Sequence, residues 1–175
     1  MAEHISYALS GAATVLGLIE PFNKKMSIIL FFSLVGNLLV AASYAFAGTE
    51  AMTGALICAV ACVELIINFI LKKKEKKIPA WLLVIYSLAF VGVNLIGGIN
   101  AWFDILALLA ALCFVFSYAQ QNSKYYRVLF VVNSGLWIVY DICAVSYGNL
   151  FTHIALFIAT IISITIHERK KKSNV

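Results

Sequence analysis

The sequence predicts an all-α membrane protein, with seven transmembrane helices arranged as two parallel three-helix repeats joined by one linker helix, a 3+1+3 plan. Three observations predict it. Of 175 residues, 63% are hydrophobic and 12% charged, and the mean hydropathy is +0.96; soluble domains carry roughly 45–50% apolar and about 25% charged residues. The apolar residues fall in runs of spanning length, separated by short turn or charge signals. All 13 lysines and arginines fall in four of those separators. A soluble domain of ~150 residues buries only about 70% of its surface, too little to hide so much apolar area. Soluble globular, disordered and disulfide-stapled secreted chains are thereby excluded.

A membrane helix needs ~20 mostly apolar residues, within roughly 17–25. Ile5–Ile19 is the first and shortest run; its Ser10, Thr14 and Gly17 make a small-residue packing face, and Pro21 follows as a stop. Ser27–Ala47 comes next, then Ala51–Leu71, with a turn at Gly48–Glu50 between them. Pro79 opens Ala80–Gly98, in a first turn where its missing N–H is not needed. Ala101–Ala119, Val128–Val145 and Leu150–His167 complete the set. Hydrocarbon requires every backbone polar group to be paired within the segment. The runs are continuous, unlike the alternating segments of a barrel, so they are helices.

Lys24 and Lys25, the five lysines of Lys72–Lys77, Lys124 with Arg127, and Arg169–Lys172 account for every basic residue. Gly48–Glu50, Gly98–Asn100, Tyr147–Asn149 and the amino terminus hold none. Short basic loops stay cytoplasmic, which places the amino terminus outside and the carboxyl terminus inside, as an odd number of spans requires. The net charge of +5 is thus a topology signal. Nucleic acid is not an expected partner, because base-stacking aromatics beside the basic residues are lacking; Tyr125 and Tyr126 read as interfacial anchors. The order span, basic loop, span, short turn, span, basic tail occurs over residues 5–77 and again over 101–172, with 80–98 as the linker. Leu30-Phe31 precedes Leu129-Phe130, Gly36 precedes Gly135 and Ala45 precedes Ala144, each by 99 positions. Repeats of this sort commonly build transporters whose site lies at the repeat interface.

The 3+1+3 plan resembles the PQ-loop, SWEET and PnuC group of small transporters. The whole chain more closely resembles the bacterial inner-membrane YgjV family, in Phe31–Gly48 and in Asp104–Lys172, above all in Lys124-Tyr125-Tyr126-Arg127 and Gly135-Leu136-Trp137-Ile138-Val139-Tyr140-Asp141. The Pro-Gln pair of the PQ-loop group is absent: Pro21-Phe22 and Ala119-Gln120 stand in its places. The YgjV resemblance implies an integral inner-membrane protein. The wider group implies solute transport by analogy of fold.

An ionisable side chain inside a membrane costs at least ~2.5–3.5 kcal/mol at a helix centre, so each asks for a reason. In the sixth span Asn133, Trp137 and Asp141 recur every four residues with Tyr140 beside them, one stripe on one helix face. An aromatic surface next to an amide and a carboxylate suits a polar ring such as a sugar or nucleoside-like solute; the plainer alternative is packing, with Asn133 bonding a neighbouring helix and Asp141 pairing with a buried donor. Asp104, Asp141 and His153 all belong to the outer half and are candidates to converge, as a proton-linked or gating group or as a structural ion pair. Glu64, four residues before Asn68 in the third span, is a further proton-linked candidate. Asn37 with Ser33, and Asn94 with Ser87, read as interhelical contacts, Asn37 also as the first-repeat counterpart of Asn133–Trp137. Glu20 reads as interfacial and solvated.

Cys58, Cys62, Cys113 and Cys143 lie in apolar runs without a Cys-x-x-Cys and read as packing residues. Metal-ligand histidine spacing, a nucleophile elbow and a phosphate loop are all missing, so neither an enzyme nor a cofactor is expected. His167-Glu168 reads as interfacial. The expected partners are the lipid bilayer and an unidentified small solute, with homo-oligomer formation open. The leading reading is a small-solute transporter or facilitator with its site lined by Asn37, Asn133, Trp137, Tyr140 and Asp141, and the alternative is a non-transporting membrane scaffold or accessory subunit.

Overall fold

The computed structural model describes residues 2–48, 51–97 and 101–172. Thr49-Glu50 and the turn Gly98–Asn100 lie outside the described residues, as do the side chains of Glu168 and Arg169–Lys172. Seven α-helices form among the described residues: α1 (Ala2–Ile19), running into a 3-10 turn at Glu20–Phe22, α2 (Met26–Ala47), α3 (Met52–Lys73), α4 (Ala80–Gly97), α5 (Asp104–Tyr118), α6 (Ser123–Cys143) and α7 (Tyr147–Lys172). Five segments are long and apolar enough to cross a membrane: Ala2–Phe22, Met26–Ala47, Met52–Lys73, Ser123–Cys143 and Tyr147–His167. Ala80–Leu95 and Asp104–Tyr118 are shorter apolar helices.

Where boundaries depart from the apolar runs, a polar side chain has moved them. α6 begins five residues before Val128 because Asn122 caps it, its side-chain oxygen accepting from Lys124 N–H at 2.9 Å, a strong start signal. α5 begins three residues after Ala101 because Asp104 Oδ2 accepts the Ala101 N–H at 3.0 Å.

Neighbours in sequence pack as neighbours in space within α1–α2–α3 and α5–α6–α7, and two further contacts, α1 on α7 and α3 on α5, close these six helices into a ring. α4 leans against α3 and α5. Successive helices run antiparallel. On α2 and α3, Phe31 meets Phe69 near one end, while Tyr44 lies against Gly54 near the other. On α5 and α6 the corresponding pairs are Tyr118–Tyr126 and Phe103–Tyr140. Lys24, Lys25, the Lys72–Lys77 run, Lys124 and Arg127 therefore share one end, here termed the basic end.

The α1–α7 seam is built from hydroxyls. Thr14 meets Thr152 at 2.8 Å, Ser10 donates to Asn149 Oδ1 at 3.0 Å, and Thr152 donates to the Ser10 carbonyl at 3.1 Å. Residue numbers rise together along the seam, so the two helices are parallel. Their approach depends on small residues, as Ser10, Thr14 and Gly17 suggested. A Cβ on Gly148 would lie 2.9 Å from Ser10 Oγ, and one on Gly17 would lie 2.6 Å from Leu156 Cδ2. Large apolar side chains such as Leu88, Leu95 and Phe151 are exposed, while serines, threonines, asparagines and acids are buried between the helices. That is the arrangement hydrocarbon imposes.

The turn from α6 to α7 is tight. Val145 adopts φ 53°, with the Ser146 N–H donating to the Asp141 carbonyl at 2.9 Å. The left-handed region costs a residue with a Cβ about 1–2 kcal/mol, and Val145 is exposed, so its side chain does not repay this by burial. Val145→Gly is expected to raise the thermal unfolding midpoint in detergent, reflecting up to about 1 kcal/mol of added stability after glycine's own entropic cost. A lower midpoint would show that the turn is not strained.

Candidate functional site

The α6 stripe faces the interior. Asn133, Trp137, Tyr140 and Asp141 are all buried, and each is engaged. Asp141 Oδ1 accepts from Tyr44 Oη of α2 at 2.6 Å. Its Oδ2 lies 2.6 Å from His153 Nδ1 of α7. Trp137 stacks on the His153 ring, with centroids 5.5 Å apart and planes at 12°, and its other neighbours are Tyr44 at 5.9 Å and Tyr140 at 5.3 Å. Tyr140 Oη accepts the Gly54 N–H at 3.0 Å. That contact satisfies a backbone donor in the first turn of α3, where the helix itself offers no partner. Asn133 donates through Nδ2 to the Ala110 carbonyl of α5 at 2.7 Å. The Asp141–His153 pair anticipated from topology is thus formed. Asp104 stands at the start of α5, beside Phe103, whose ring packs on Tyr140 at 5.8 Å.

A cavity of about 50 Å³ lies between α1, α2, α3, α5, α6 and α7. Glu20, Ser33, Asn37, Asn133, Trp137 and His153 contribute to its wall. Tyr140 and Asp141 are not part of that wall; Asp141 supports it from behind by holding His153. At ≈30 Å³ per water in the liquid, the chamber has room for one or two water-sized groups.

Toward the basic end the chamber is closed by a group that sequence reasoning misplaced. Glu20 is not interfacial and solvated: it is 3% exposed. Its Oε1 accepts from Tyr118 Oη at 2.6 Å and from Tyr126 Oη, and Ser33 Oγ lies 2.5 Å from Tyr118 Oη. Tyr126 is correspondingly not an interfacial anchor but fully buried, whereas Tyr125 is exposed. The cause is the 3-10 turn around Pro21, which folds Glu20 inward. Arg127 fixes this turn from the far side, donating Nε to the Pro21 carbonyl at 2.7 Å and Nη2 to the Asn23 carbonyl at 2.9 Å, and Ser163 also donates to Pro21 O at 2.6 Å. A signal existed. Tyr126, Phe130, Asn133, Trp137 and Tyr140 are spaced by four, three, four and three residues, so the α6 stripe extends toward the basic end and carries Tyr126 with it.

Other expected contacts are also redistributed. Asn37 and Asn94 do not join helices through their amide nitrogens: each donates to the carbonyl four residues earlier in its own helix, Ser33 O at 2.9 Å and Phe90 O at 3.4 Å. The interhelical contact belongs to Ser33. Glu64 forms a separate cluster between α3 and α4, where Asn68 Nδ2 donates to Glu64 Oε1 at 3.2 Å and Tyr86 Oη to Asn68 Oδ1 at 3.1 Å. Among the described residues, Glu64 Oε2 has no hydrogen-bond partner. His167 binds back to its own helix, Nδ1 lying 2.8 Å from the Ser163 carbonyl. The four cysteines are free thiols.

Apolar helices turned outward around a polar, partly hollow interior define a multi-pass integral membrane protein. The chain belongs to the Imp-YgjV family of bacterial inner membrane proteins, which it matches over residues 4–171. No curated protein and no solved structure matches it.

Because Tyr44 supplies one of the two side-chain contacts to Asp141, Tyr44→Phe strands a buried carboxylate oxygen, at a cost of about 1–3 kcal/mol. Unfolding in detergent should show that loss, while Tyr7→Phe, whose exposed hydroxyl donates only to Glu3, should stay within about 0.5 kcal/mol of the parent. Equal effects of the two substitutions would contradict the arrangement described.

Proposed function

We propose that the chain is a transporter or facilitator of a small polar solute, working from the chamber enclosed by its helix ring. In this reading all seven helices cross the bilayer. α1–α3 and α5–α7 are two parallel three-helix repeats, and α4 is the linker that gives the second the orientation of the first. The amino terminus is outside and the basic end cytoplasmic, by the distribution of lysine and arginine. The contacts that close the ring support the repeat: exchanging the two triplets turns the α1–α7 contact into the α5–α3 contact, and both are present. No bond is made or broken in this reading, and no cofactor is invoked.

The observation that carries the proposal is the chamber itself, a void of about 50 Å³ lined by Asn37, Asn133 and Trp137 at the junction of the two triplets. A scaffold has no need of a polar void where its halves meet. The Asp141–His153 pair, at the opposite end from Glu20, gives the chamber a group that can exchange a proton as it opens. Tyr44 and Trp137 hold that pair in place, and Tyr140 secures the same end through Gly54. Asp104 sits at the same end, as an element of the gate. Glu64, on the α3–α4 side, is a second proton-linked candidate.

The test is uptake into proteoliposomes of a panel of neutral, cationic and anionic small solutes, with and without a pH gradient. At least one solute should enter saturably above empty liposomes, and Asp141→Asn should remove the gradient-driven part of its uptake while insertion is unchanged. Entry of no solute would leave the scaffold or accessory-subunit reading in its place. Undiminished gradient-driven uptake in Asp141→Asn would take the pair out of the mechanism.

A further inference from the structure

Several acceptor oxygens in the chamber wall are left unspent, beside the indole N–H of Trp137. Asn37 and Asn133 each spend an amide hydrogen on a backbone carbonyl, and among the described residues neither Oδ1 has a hydrogen-bond partner. The oxygen edge of both amides is therefore available to an occupant. Protons around Glu20 run the same way. Tyr118 and Tyr126 donate to Glu20 Oε1, so the hydrogen between Ser33 and Tyr118 comes from Ser33, leaving the Ser33 lone pairs free to accept. Trp137, Phe114, Tyr118 and Phe130 add aromatic rings to the wall, surfaces that attract cations.

Formal charge points in the same direction. Glu20 is the carboxylate in the wall, and the Asp141–His153 pair sums to zero or below when Asp141 is ionised. Arg127 is outside the wall, with its guanidinium turned to the Pro21 and Asn23 carbonyls. Acceptor oxygens, aromatic rings and an acid make an unfavourable lining for an anion and a favourable one for a compact donor carrying positive charge.

We infer that the chamber binds a small monovalent cation of the ammonium class, a protonated primary amine of about methylammonium size, held by Glu20 and by the amide oxygens of Asn37 and Asn133. The inference rests on reading the chamber as a solute site, and it names the solute class. Glu20, Asn37 and Asn133 become the specificity-determining residues, with Trp137 as the wall against which the ammonium head lies. The volume of about 50 Å³ admits an occupant of one or two heavy atoms, at ≈30 Å³ per water-sized group.

Trp137 also provides the readout. Trp81 and Trp102 are 63% and 66% exposed, whereas Trp137 is 5% exposed, so a Trp81→Phe/Trp102→Phe background isolates a fluorophore in the chamber wall. In nanodiscs of phosphatidylethanolamine and phosphatidylglycerol, methylammonium chloride should shift Trp137 emission saturably, while glycerol and sodium acetate should not. Glu20→Gln keeps the shape of the side chain and removes its charge, and should weaken binding about tenfold or more. Gly36→Ala guards against misfolding of that variant. Gly36 lines the chamber, a Cβ there meets no atom within 4 Å, and alanine favours the helix; the added methyl takes up the void and should weaken binding at least tenfold in a folded protein. A response to glycerol or acetate matching that to methylammonium overturns the inference, as does a methylammonium response unchanged in both variants. The proteoliposome panel separates the two levels. Saturable entry of a neutral or anionic solute without methylammonium binding removes the cation and keeps the transporter, whereas no binding and no entry removes both.

Discussion

Asp141 brings a carboxylate into hydrocarbon, and the helices around it are placed by the need to satisfy its two oxygens. No water stands ready to do so in a bilayer, so the partners come from elsewhere in the chain: a phenol of α2 for Oδ1 and an imidazole of α7 for Oδ2. These contacts fix the directions from which α2 and α7 approach α6. Trp137 fills the angle between their rings. The adjacent residue, Tyr140, satisfies the Gly54 amide and so draws in α3. Three helices meet at this carboxylate and a fourth at its neighbour Tyr140, through three hydrogen bonds whose loss leaves a buried polar atom unmatched.

The same logic repeats at the basic end with a second acid and different donors. Glu20 is satisfied by phenols of α5 and α6, and the turn that presents it is pinned by Arg127 and Ser163. Between the two acids the helices do not fully close, because Gly36 and Ala13 leave space that the large side chains around them do not fill. The chamber is thus where two separately satisfied polar clusters fail to merge. Its contents are decided by which lone pairs those clusters leave unused.

Much of this was legible in the sequence for simple reasons. Helix count followed from run length, since hydrocarbon thickness sets a minimum. The α6 stripe followed from a spacing of four; depth made Asp104, Asp141 and His153 candidates to converge, and of these Asp141 and His153 are in contact. What escaped was anything depending on which way a short irregular segment folds. Glu20 adjoins a proline and lies near two lysines, the usual signs of an interface, and only the tertiary contacts of Arg127 and Ser163 with the turn reverse that reading. Tyr126 was obscured by Tyr125, since adjacent residues on a helix point about 100° apart and only one can face the bundle. The asparagines of α2 and α4 escaped for the opposite reason: an amide four residues after a carbonyl can satisfy itself within its own helix, which no apolar pattern reveals.

The hydroxyl seam between α1 and α7 bears on the order in which the protein is made. Ser10 and Asn149 are separated by 139 positions, and α1 emerges from the ribosome long before its partner exists. Until α7 arrives, Ser10 and Thr14 face either lipid or the insertion machinery without the partners that later bury them. Ser43 of α2 meets only part of this need, through its own contact with Ser10 at 2.6 Å. The ring of helices is therefore completed by its last member. Assembly of the ring is a closure in which α1, already packed on α2, waits for α7 to complete its hydroxyl partners.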